Sequence, residues 1–310
     1  MRILITGGAG CLGSNLIEYW LPRGHEILII DNFTTGNREA LPPIAGLTVV
    51  EGTIVDAGLV EQTFSEFRPT YVIHAAASYK DRDWQSDAAT NIIGTINVIN
   101  AARAANVARL IYFHTVLCYG RPRLIPTPVD HPLQPFTSYA ISKTAGEQYI
   151  AASGLPWVSM RLANVTGPRL AAGPIPTFYK RIKAGQPCIC SNTVRDFLDM
   201  ADFFTALDLV MNEAAPTGIF NVASGEGHSI REVYDATRAH LGLAPDLDVK
   251  VVPAGPDDVP VVVPDPSRTW DVLGWRARTP FGDTVHRMLQ WYDLHGVTDV
   301  HSHLAAPKPA

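Results

Sequence analysis

The sequence has few cysteines, no run of basic residues and no long apolar segment. Its four cysteines, Cys11, Cys118, Cys188 and Cys190, are too few for a disulfide framework, and Cys188-x-Cys190 lacks the second pair expected of a metal site. The formal net charge of −5 argues against a nucleic-acid partner. No apolar run approaches the ~18 residues of a membrane span, and no signal peptide precedes the first strand pattern. We therefore expect a cytoplasmic protein that binds no nucleic acid, no membrane and no metal ion.

Short apolar runs alternate with helix-length segments over the first half of the chain. The runs that predict strands are Ile3–Ile5, Glu26–Ile30, Leu47–Val50, Tyr71–Ile73, Leu110–Phe113 and Trp157–Met160. The segments that predict helices are Leu12–Trp20, Leu59–Phe67, Asp87–Ala105 and Ser138–Ala152. Strands that are apolar on both faces are typical of buried parallel sheets. The alternation predicts an α/β fold with a Rossmann-type doubly wound parallel sheet.

Prolines interrupt this pattern after Pro168. Residues 218–223 predict one more strand that returns to the sheet, and residues 229–242 and 281–295 predict helices, the first opening on a Ser229–Glu232 capping box. The proline-rich stretch 253–266 predicts irregular or edge structure. We expect residues 1–167, with a returning segment at about 196–224, to form a dinucleotide-binding domain. Residues 168–195 and 225–300 then form a smaller C-terminal substrate domain, and 301–310 a tail.

A glycine-rich segment joins the first predicted strand to the first predicted helix. Gly7, Gly10 and Gly13 follow a Gly-x-x-Gly-x-x-Gly spacing, which permits a tight turn and lets the backbone approach a diphosphate. Cys11 and Leu12 begin the helix, whose free N–H groups and dipole favour an anion. Structural turns also use glycine, but the position at a strand-to-helix junction favours a cofactor site.

A carboxylate at the end of the second strand selects the cofactor. Asp31 lies 21 residues after Gly10, where it can accept hydrogen bonds from ribose hydroxyls. Its charge opposes a 2′-phosphate, and the neighbouring Asn32 and Phe33 add no positive charge. The sequence therefore predicts NAD rather than NADP, the alternative being an aspartate that only caps a turn.

Further cofactor contacts are expected where the next two strands end. Asp56 is placed to reach the adenine amino group, and the small side chains of Ala75, Ala76 and Ala77 leave room for a cofactor close to the backbone. The preceding His74 is interpreted as a structural histidine.

A tyrosine and a lysine lie four residues apart near the start of the fourth predicted helix. Residues at this spacing share a helix face, so Tyr139 and Lys143 point into one cleft. A neighbouring ammonium group favours the phenolate and lowers the tyrosine pKa from its ordinary value of about 10. The pair predicts acid–base chemistry on a hydroxyl group.

Together these motifs resemble the extended short-chain dehydrogenase/reductases, in their nucleotide-sugar epimerase and dehydratase branch. The resemblance covers about residues 1–295 and is greatest to the UDP-galactose 4-epimerase type of bacterial O-antigen and polysaccharide clusters. The motifs that carry it are Gly7-x-x-Gly10-x-x-Gly13, Asp31, Asp56, His74-Ala-Ala, Asn91, Thr115-x-x-x-Tyr119-Gly120, Tyr139-x-x-x-Lys143, Arg161-Leu-Ala-Asn164-Val-Thr-Gly167-Pro168 and Arg195-Asp196-Phe197.

The resemblance implies a role for each matching residue. Tyr139 is the base, Lys143 binds the nicotinamide ribose and lowers the tyrosine pKa, and Thr115 hydrogen-bonds the sugar hydroxyl. Asn91 belongs to the cofactor set. The substrate set comprises Asn164 and Arg195, which contact the diphosphate, and Lys80, which falls near a cofactor-contacting lysine of these epimerases.

Two departures from the family pattern lie in the predicted nucleotide pocket. The segment Ala254–Asp258 lacks the arginine that grips the diphosphate in relatives, and the loop Cys190–Val194 is shorter than theirs. UDP, GDP and dTDP sugars therefore all stay candidate substrates, with UDP favoured by the resemblance.

The residues after Thr115 distinguish the reactions within the branch. Dehydratases place Asp-Glu there and decarboxylases a glutamate two residues on, whereas this chain has Val116 and Leu117. The sequence predicts a 4-epimerase acting through a transient 4-keto sugar. Dehydration or decarboxylation stays open if Glu147 or Asp81 supplies the carboxylate, and the non-enzyme alternative is an NAD-sensing protein.

Two of the predicted helices carry more apolar residues than one sheet face needs. In the resembling family such helices pair across a two-fold axis, so we expect a homodimer. The alternative is that these residues pack only on their own sheet. The residues concerned are Ile92, Ile96, Ile99, Tyr149 and Ile150.

Overall fold

The structure is a computed structural model that describes residues 1–42, 45–78, 83–255 and 258–297. The strands are β1 (Arg2–Thr6), β2 (Glu26–Asp31), β3 (Leu47–Glu51), β4 (Tyr71–His74), β5 (Arg109–Thr115), β6 (Trp157–Leu162), β7 (Asn164–Thr166), β8 (Ile189–Ser191), β9 (Val194–Arg195), β10 (Phe197–Asp199), β11 (Gly218–Val222), β12 (His228–Ser229), β13 (Lys250–Val252) and β14 (Val261–Val262). The helices are α1 (Cys11–Trp20), α2 (Ala57–Phe67), α3 (Trp84–Ala88), α4 (Thr95–Ala104), α5 (Ser138–Ala151), α6 (Pro174–Lys183), α7 (Met200–Val210), α8 (Ile230–His240), α9 (Ser267–Leu273) and α10 (Phe281–His295).

Seven strands form the main sheet, in the order β11-β6-β5-β4-β1-β2-β3. All neighbouring pairs from β3 to β6 are parallel. The chain winds outward in both directions from β1 and β4, so the carboxyl ends of these two strands form the topological switch point where ligands bind in such sheets. The predicted Rossmann-type sheet is confirmed.

The central strands are apolar on both faces because helices cover both sides of the sheet. Every residue of β4 is buried, as are six of the seven residues of β5. The largest side chains between this sheet and helices α2 and α4 include Phe64, Phe67 and Tyr112. This packing explains why the strand signals in the sequence were continuous apolar runs rather than alternating ones.

The predicted helix Asp87–Ala105 is interrupted in the structure. A π-helical turn, Ala89–Gly94, separates α3 from α4. Helix α5 approaches this turn so closely that a Cβ on Gly146 would lie 2.8 Å from the carbonyl oxygen of Asn91. Such a turn adds one residue to a helix without changing the apolar periodicity on either side. The sequence therefore predicted one uninterrupted helix.

The chain divides into two compact units. The first comprises Met1–Cys118, Leu133–Leu162 and Ala206–Phe220, and the second Tyr119–Pro132, Ala163–Thr205 and the described residues from Asn221 onward. The boundaries of these units differ from the predicted ones. Tyr119–Pro132, residues 163–167 and both ends of the predicted returning segment, 196–205 and 221–224, belong to the second unit. The functional division into dinucleotide and substrate domains stays a proposal. The predicted tail 301–310 lies outside the described residues.

The second unit has its own core between helices α6, α8 and α10. Phe178, Tyr234 and Met288 are among its buried residues. Helix α8 begins with the predicted capping box, in which the Ser229 side chain and the Glu232 carboxylate each bind the other's backbone N–H. In the part of the chain that the structure describes, no helix is both long and apolar enough to cross a membrane.

Candidate active site

The glycine-rich loop lies between the carboxyl end of β1 and the N-terminus of α1. Gly7 adopts a left-handed conformation with φ of +69°, and a Cβ at this position would lie 2.7 Å from the Cα of Ala76. A Cβ on Gly13 would lie 2.6 Å from the Cα of Gly8, so both glycines serve close backbone packing. Gly10 is more open, since its Cβ would meet only the carbonyl oxygen of Gly7 at 3.3 Å among the described atoms. The loop therefore leaves its backbone accessible at Gly10, beside Cys11 and Leu12 at the helix start, as a diphosphate requires.

Asp31 lies at the end of β2, next to this loop. Its carboxylate oxygens accept hydrogen bonds from the backbone N–H groups of Ala9 and Phe33, each at 2.8 Å, and the residue is only 7% exposed. A carboxylate oxygen has two acceptor sites, so these contacts orient the group and leave capacity for ribose hydroxyls. The side chain of the adjacent Asn32 is turned to the backbone N–H of Thr34.

The sequence analysis did not identify Arg38, a cation near Asp31. The guanidinium group of Arg38 lies 4.2 Å from the centre of the Phe33 ring and pairs with Glu51. Both side chains of this ion pair are exposed, so the preference for NAD rests on the carboxylate of Asp31 and not on the lack of a nearby cation.

The other predicted cofactor residues lie at the ends of β3 and β4. Asp56 is exposed and caps α2 by accepting a hydrogen bond from Leu59 N at 3.0 Å. The backbone N–H groups of Ala75 and Ala76 are held by the carbonyl and hydroxyl oxygens of Thr6, both at 3.2 Å, and Ala77 follows directly. These contacts fix the small-residue loop against the glycine-rich loop.

Asn91 is buried and acts on the loop after β4. Its amide accepts a hydrogen bond from Ser78 N at 2.9 Å and donates to Ser78 O at 3.0 Å and to Ser142 Oγ at 3.0 Å. These bonds hold Ser78 in place, and Asn91 thereby shapes the loop that follows β4. Lys80, two residues further along this loop, lies outside the described residues.

Tyr139 and Lys143 lie one turn apart on α5, which begins at the Thr137 cap. Lys143 is 1% exposed, and its ammonium group lies 3.9 Å from the centre of the Tyr112 ring on β5. The Tyr112 hydroxyl donates to the backbone carbonyl of Lys143 at 3.0 Å. Burial raises the pKa of Tyr112 well above its ordinary value, and a negative charge on Tyr139 acts in the same direction.

Burial perturbs the pKa of the lysine. Loss of hydration lowers the Lys143 pKa from 10.5 to about 7, and the negative charge of Glu147 acts in the opposite direction. The pKa values of His74 and His114, both buried, are held well below 6.5 by burial first and by Lys143 second. These histidines are therefore neutral near pH 7.

A buried carboxylate lies one turn beyond Lys143. Glu147 accepts hydrogen bonds from Ser159 Oγ at 2.5 Å and from the Arg161 guanidinium, whose Nη2 lies 2.6 Å from Oε1 and whose Nε lies 3.2 Å from Oε2. Sequence reasoning named Glu147 only as a possible acid or base for dehydration and missed its partners. The i, i+4 spacing from Lys143 was the available signal, whereas Arg161 is brought in by a different strand.

Thr115 ends β5, three residues after Tyr112. Its hydroxyl accepts a hydrogen bond from Leu117 N at 3.2 Å, which fixes the start of the following turn. Val116 is buried and Leu117 is half-buried, so apolar side chains follow the threonine as the sequence implied.

The predicted substrate residues Asn164 and Arg195 belong to the second unit. Asn164 donates to the carbonyl oxygen of Asp196 at 2.8 Å. The Arg195 side chain is 14% exposed and its guanidinium lies 2.5 Å from a carboxylate oxygen of Asp258. Asp258 is thus the ion-pair partner of the guanidinium group that the family pattern assigns to a diphosphate. Within the described residues no group of three or more His, Cys, Asp or Glu side chains is arranged to hold a metal ion.

Comparison with known proteins identifies the class. Residues 3–223 match the family described as "NAD dependent epimerase/dehydratase family". The chain belongs to this family, which confirms the resemblance, the enzyme class and the NAD dependence predicted above.

Individual relatives share this fold over nearly their whole length. The chain is 31% identical to the UDP-glucose 4-epimerase of Corynebacterium glutamicum, over 89% of this chain and 90% of that protein. It is similar to the solved structure of the Bordetella bronchiseptica enzyme WbmG in complex with NAD and UDP, with 62% identity, a TM-score of 0.92 and coverage of 98% and 97%. It is also similar to the UDP-glucose 4-epimerase of Thermotoga maritima with UDP-glucose, with 27% identity, a TM-score of 0.89 and coverage of 95% and 99%.

Proposed function

We propose that this chain is an NAD-dependent 4-epimerase of a UDP-linked sugar. The observation that carries the proposal is the site around α5. A Tyr139–Lys143 pair with a perturbed lysine lies beside β5, whose last residue, Thr115, is followed by apolar side chains. Such a site provides one acid–base group, Tyr139, and apolar side chains that can neither donate nor accept a proton.

Each residue has a defined task in this reaction. Tyr139 takes the proton of the C4 hydroxyl and later returns it, while Lys143 stabilises the phenolate and holds the nicotinamide ribose. Thr115 hydrogen-bonds the same sugar hydroxyl. NAD, when bound, supplies the hydride acceptor and donor for C4. The 4-keto sugar must turn between the two transfers so that hydride returns to its other face.

The nucleotide is inferred from chemistry and from relatives. UDP is bound in the WbmG structure and UDP-glucose in the Thermotoga maritima structure, which supports a UDP sugar here. We infer that Arg195 and Asn164 contact the diphosphate. Arg195 must then exchange its bond to Asp258 for one to phosphate, as a guanidinium can do bidentately.

Dehydration is the competing reaction. It requires a base for the C5 proton and an acid for the C6 leaving group. Glu147 is poorly suited to either task, because its oxygens already accept bonds from Ser159 and Arg161 in a buried position. Asp81, the other carboxylate considered, lies outside the described residues.

The test is a panel of UDP, GDP and dTDP sugars, with products identified by NMR in D₂O. A 4-epimerase converts a UDP sugar into its C4 epimer and returns its own hydride, so no deuterium enters the carbon skeleton. Deuterium at C5 or C6 would refute epimerisation in favour of dehydration. Absence of any product over the whole panel would favour an NAD-sensing protein.

We also propose a homodimer, formed through α5 and the helices before it. The exposed apolar residues of this surface are Trp84 (81% exposed), Ile93 (49%), Ile141 (50%) and Tyr149 (49%). Two of the apolar residues expected at the dimer interface do not reach the surface. Ile99 and Ile150 are 6% and 0% exposed and pack in their own core, because they face the sheet. Ile92 and Ile96 are half-buried.

Location and pathway stay proposals as well. We propose that the enzyme works in the cytoplasm, where it supplies a UDP sugar for polysaccharide synthesis. Cell fractionation with an antibody against the chain, and loss of a surface polysaccharide on deletion, test the two statements separately.

A further inference from the structure

One aromatic side chain contacts both ends of Lys143. The lysine Nζ lies 3.9 Å from the centre of the Tyr112 ring, and the Tyr112 hydroxyl donates to the backbone carbonyl of Lys143 at 3.0 Å. Both residues are buried, with exposures of 0% for Tyr112 and 1% for Lys143. The face of an aromatic ring attracts an ammonium group, most strongly where water is excluded. Tyr112 therefore holds the backbone of the lysine and also the end of its side chain.

The Tyr112 ring is itself fixed by the sheet. His74 on β4 pairs in register with Tyr112, and His114 lies two residues further along β5, so all three side chains share one face of the sheet. The ring centres of His74 and His114 lie 5.3 Å and 5.6 Å from that of Tyr112. His74 is held in turn by the hydroxyl groups of Thr6, at 2.7 Å, and Thr95, at 2.8 Å. Close packing against such neighbours gives the tyrosine a fixed ring face on which the lysine rests.

Helix α5 has a glycine where it passes the Tyr112 hydroxyl. A Cβ on Gly146, three residues after Lys143, would lie 2.7 Å from the Tyr112 hydroxyl oxygen and 2.8 Å from the carbonyl oxygen of Asn91. Glycine is less favourable than alanine inside a helix, so this position sacrifices helix stability for a close approach. The approach brings the Lys143 carbonyl within hydrogen-bond distance of β5, which supports a specific role for the tyrosine hydroxyl.

We propose that Tyr112 is a positioning residue that fixes Lys143 for its contact with the nicotinamide ribose. In this role the tyrosine acts through the lysine and needs no contact of its own with substrate or cofactor. The inference rests on the role of Lys143 given under the proposed function.

The experiment is a double-substitution cycle on NAD binding, and it needs no sugar. NAD-stripped wild type, Tyr112→Leu, Lys143→Met and the double variant are titrated with NAD by calorimetry at pH 6, below the Lys143 pKa of about 7, so that the lysine is protonated. We expect Tyr112→Leu to weaken NAD binding about tenfold when Lys143 is present, the scale of one lost ammonium–ring contact. In the Lys143→Met background the same substitution should change the affinity by less than about twofold, because its effect passes through the lysine.

Phe113→Leu is the matched control for loss of a buried ring. Phe113 follows Tyr112 on β5 and is 5% exposed, but its side chain points to the opposite face of the sheet. Its substitution should have the same effect on NAD affinity with and without Lys143. An equal effect of Tyr112→Leu in the two backgrounds would overturn the proposal, because a ring that only fills the core gives that result.

Two further outcomes are informative. If Tyr112→Leu does not fold, the cycle is run with Tyr112→Phe, which keeps the ring and removes the hydroxyl. This variant should weaken NAD binding by about threefold, the scale of one hydrogen bond, and only when Lys143 is present. Wild-type NAD affinity in Lys143→Met would refute the role assigned to the lysine under the proposed function, and this inference with it.

Discussion

Replacing the buried lysine by methionine should stabilise the protein while abolishing its activity. Lys143→Met keeps an unbranched side chain, one heavy atom shorter, and removes the ammonium group. The pKa of Lys143 falls from 10.5 to about 7 on folding, and at about 1.4 kcal/mol per unit this burial costs the folded state on the order of 5 kcal/mol below pH 7. Loss of the ammonium contact with the Tyr112 ring offsets about 2 kcal/mol. A net gain of about 3 kcal/mol is expected.

The pH dependence separates this cause from a general packing effect. Between pH 7 and 10.5 the unfolded lysine is protonated and the folded one is not, so the unfolded state binds more protons and wild-type stability rises with pH. Below pH 7 both states are protonated and the cost is constant and complete. The advantage of Lys143→Met should therefore be largest near pH 6 and fade toward pH 10.

The assay is urea denaturation of NAD-stripped protein at pH 6 and pH 10, because bound NAD would add its own contribution to stability. Lys180→Met, on the exposed face of α6, is the matched control and should change stability by less than about 0.5 kcal/mol at either pH. An advantage of equal size at both pH values, or a loss of stability at pH 6, would refute the reasoning.

Three further substitutions test the rest of the site and the assembly. Tyr139→Phe should keep NAD bound and lower kcat by roughly 10²–10⁴, and near-native turnover would remove the tyrosine from its role. Asp31→Asn should raise the affinity for NADP relative to NAD by about tenfold in calorimetric titrations, because the carboxylate that repels the 2′-phosphate is lost. An unchanged ratio of affinities would place the ribose elsewhere. Ile93→Asp should give a monomeric mass by light scattering at micromolar concentration, whereas Leu294→Asp, at a still more exposed leucine of the second unit, should not; a dimer in both would exclude the proposed surface.

Much of the first unit could be predicted from local patterns. Gly7 and Gly13 sit where backbone atoms come within 3 Å of an added Cβ, a requirement that shows in the sequence as glycine at fixed spacing. The buried strands likewise appear as apolar runs, because both faces of β4 and β5 are covered. Tyr139 and Lys143 share a helix face at a spacing that the sequence displays directly.

The contacts that set the chemistry of this pair were not visible in the same way. Tyr112 on β5 lies against Lys143, and Arg161 on β6 binds Glu147 of α5, and only the packing of these elements brings each pair together. The resulting pKa depends on burial and on neighbours from distant segments, which no periodicity encodes. The π-helical turn at Asn91 was missed for a related reason, since one added residue leaves the apolar pattern intact on either side.

The sequence by itself determined the order of the strands from β1 to β6, the family and the cofactor, because each depends on residue types at short, regular spacings. Tertiary structure alone decided which apolar residues of the helices reach the surface. Ile99 and Ile150 turn toward the sheet, whereas Ile93 and Tyr149 point away from it. The number of apolar residues in each helix does not distinguish these two groups. The direction of a helix face relative to the sheet depends on how the helix packs, and the sequence pattern does not encode that packing.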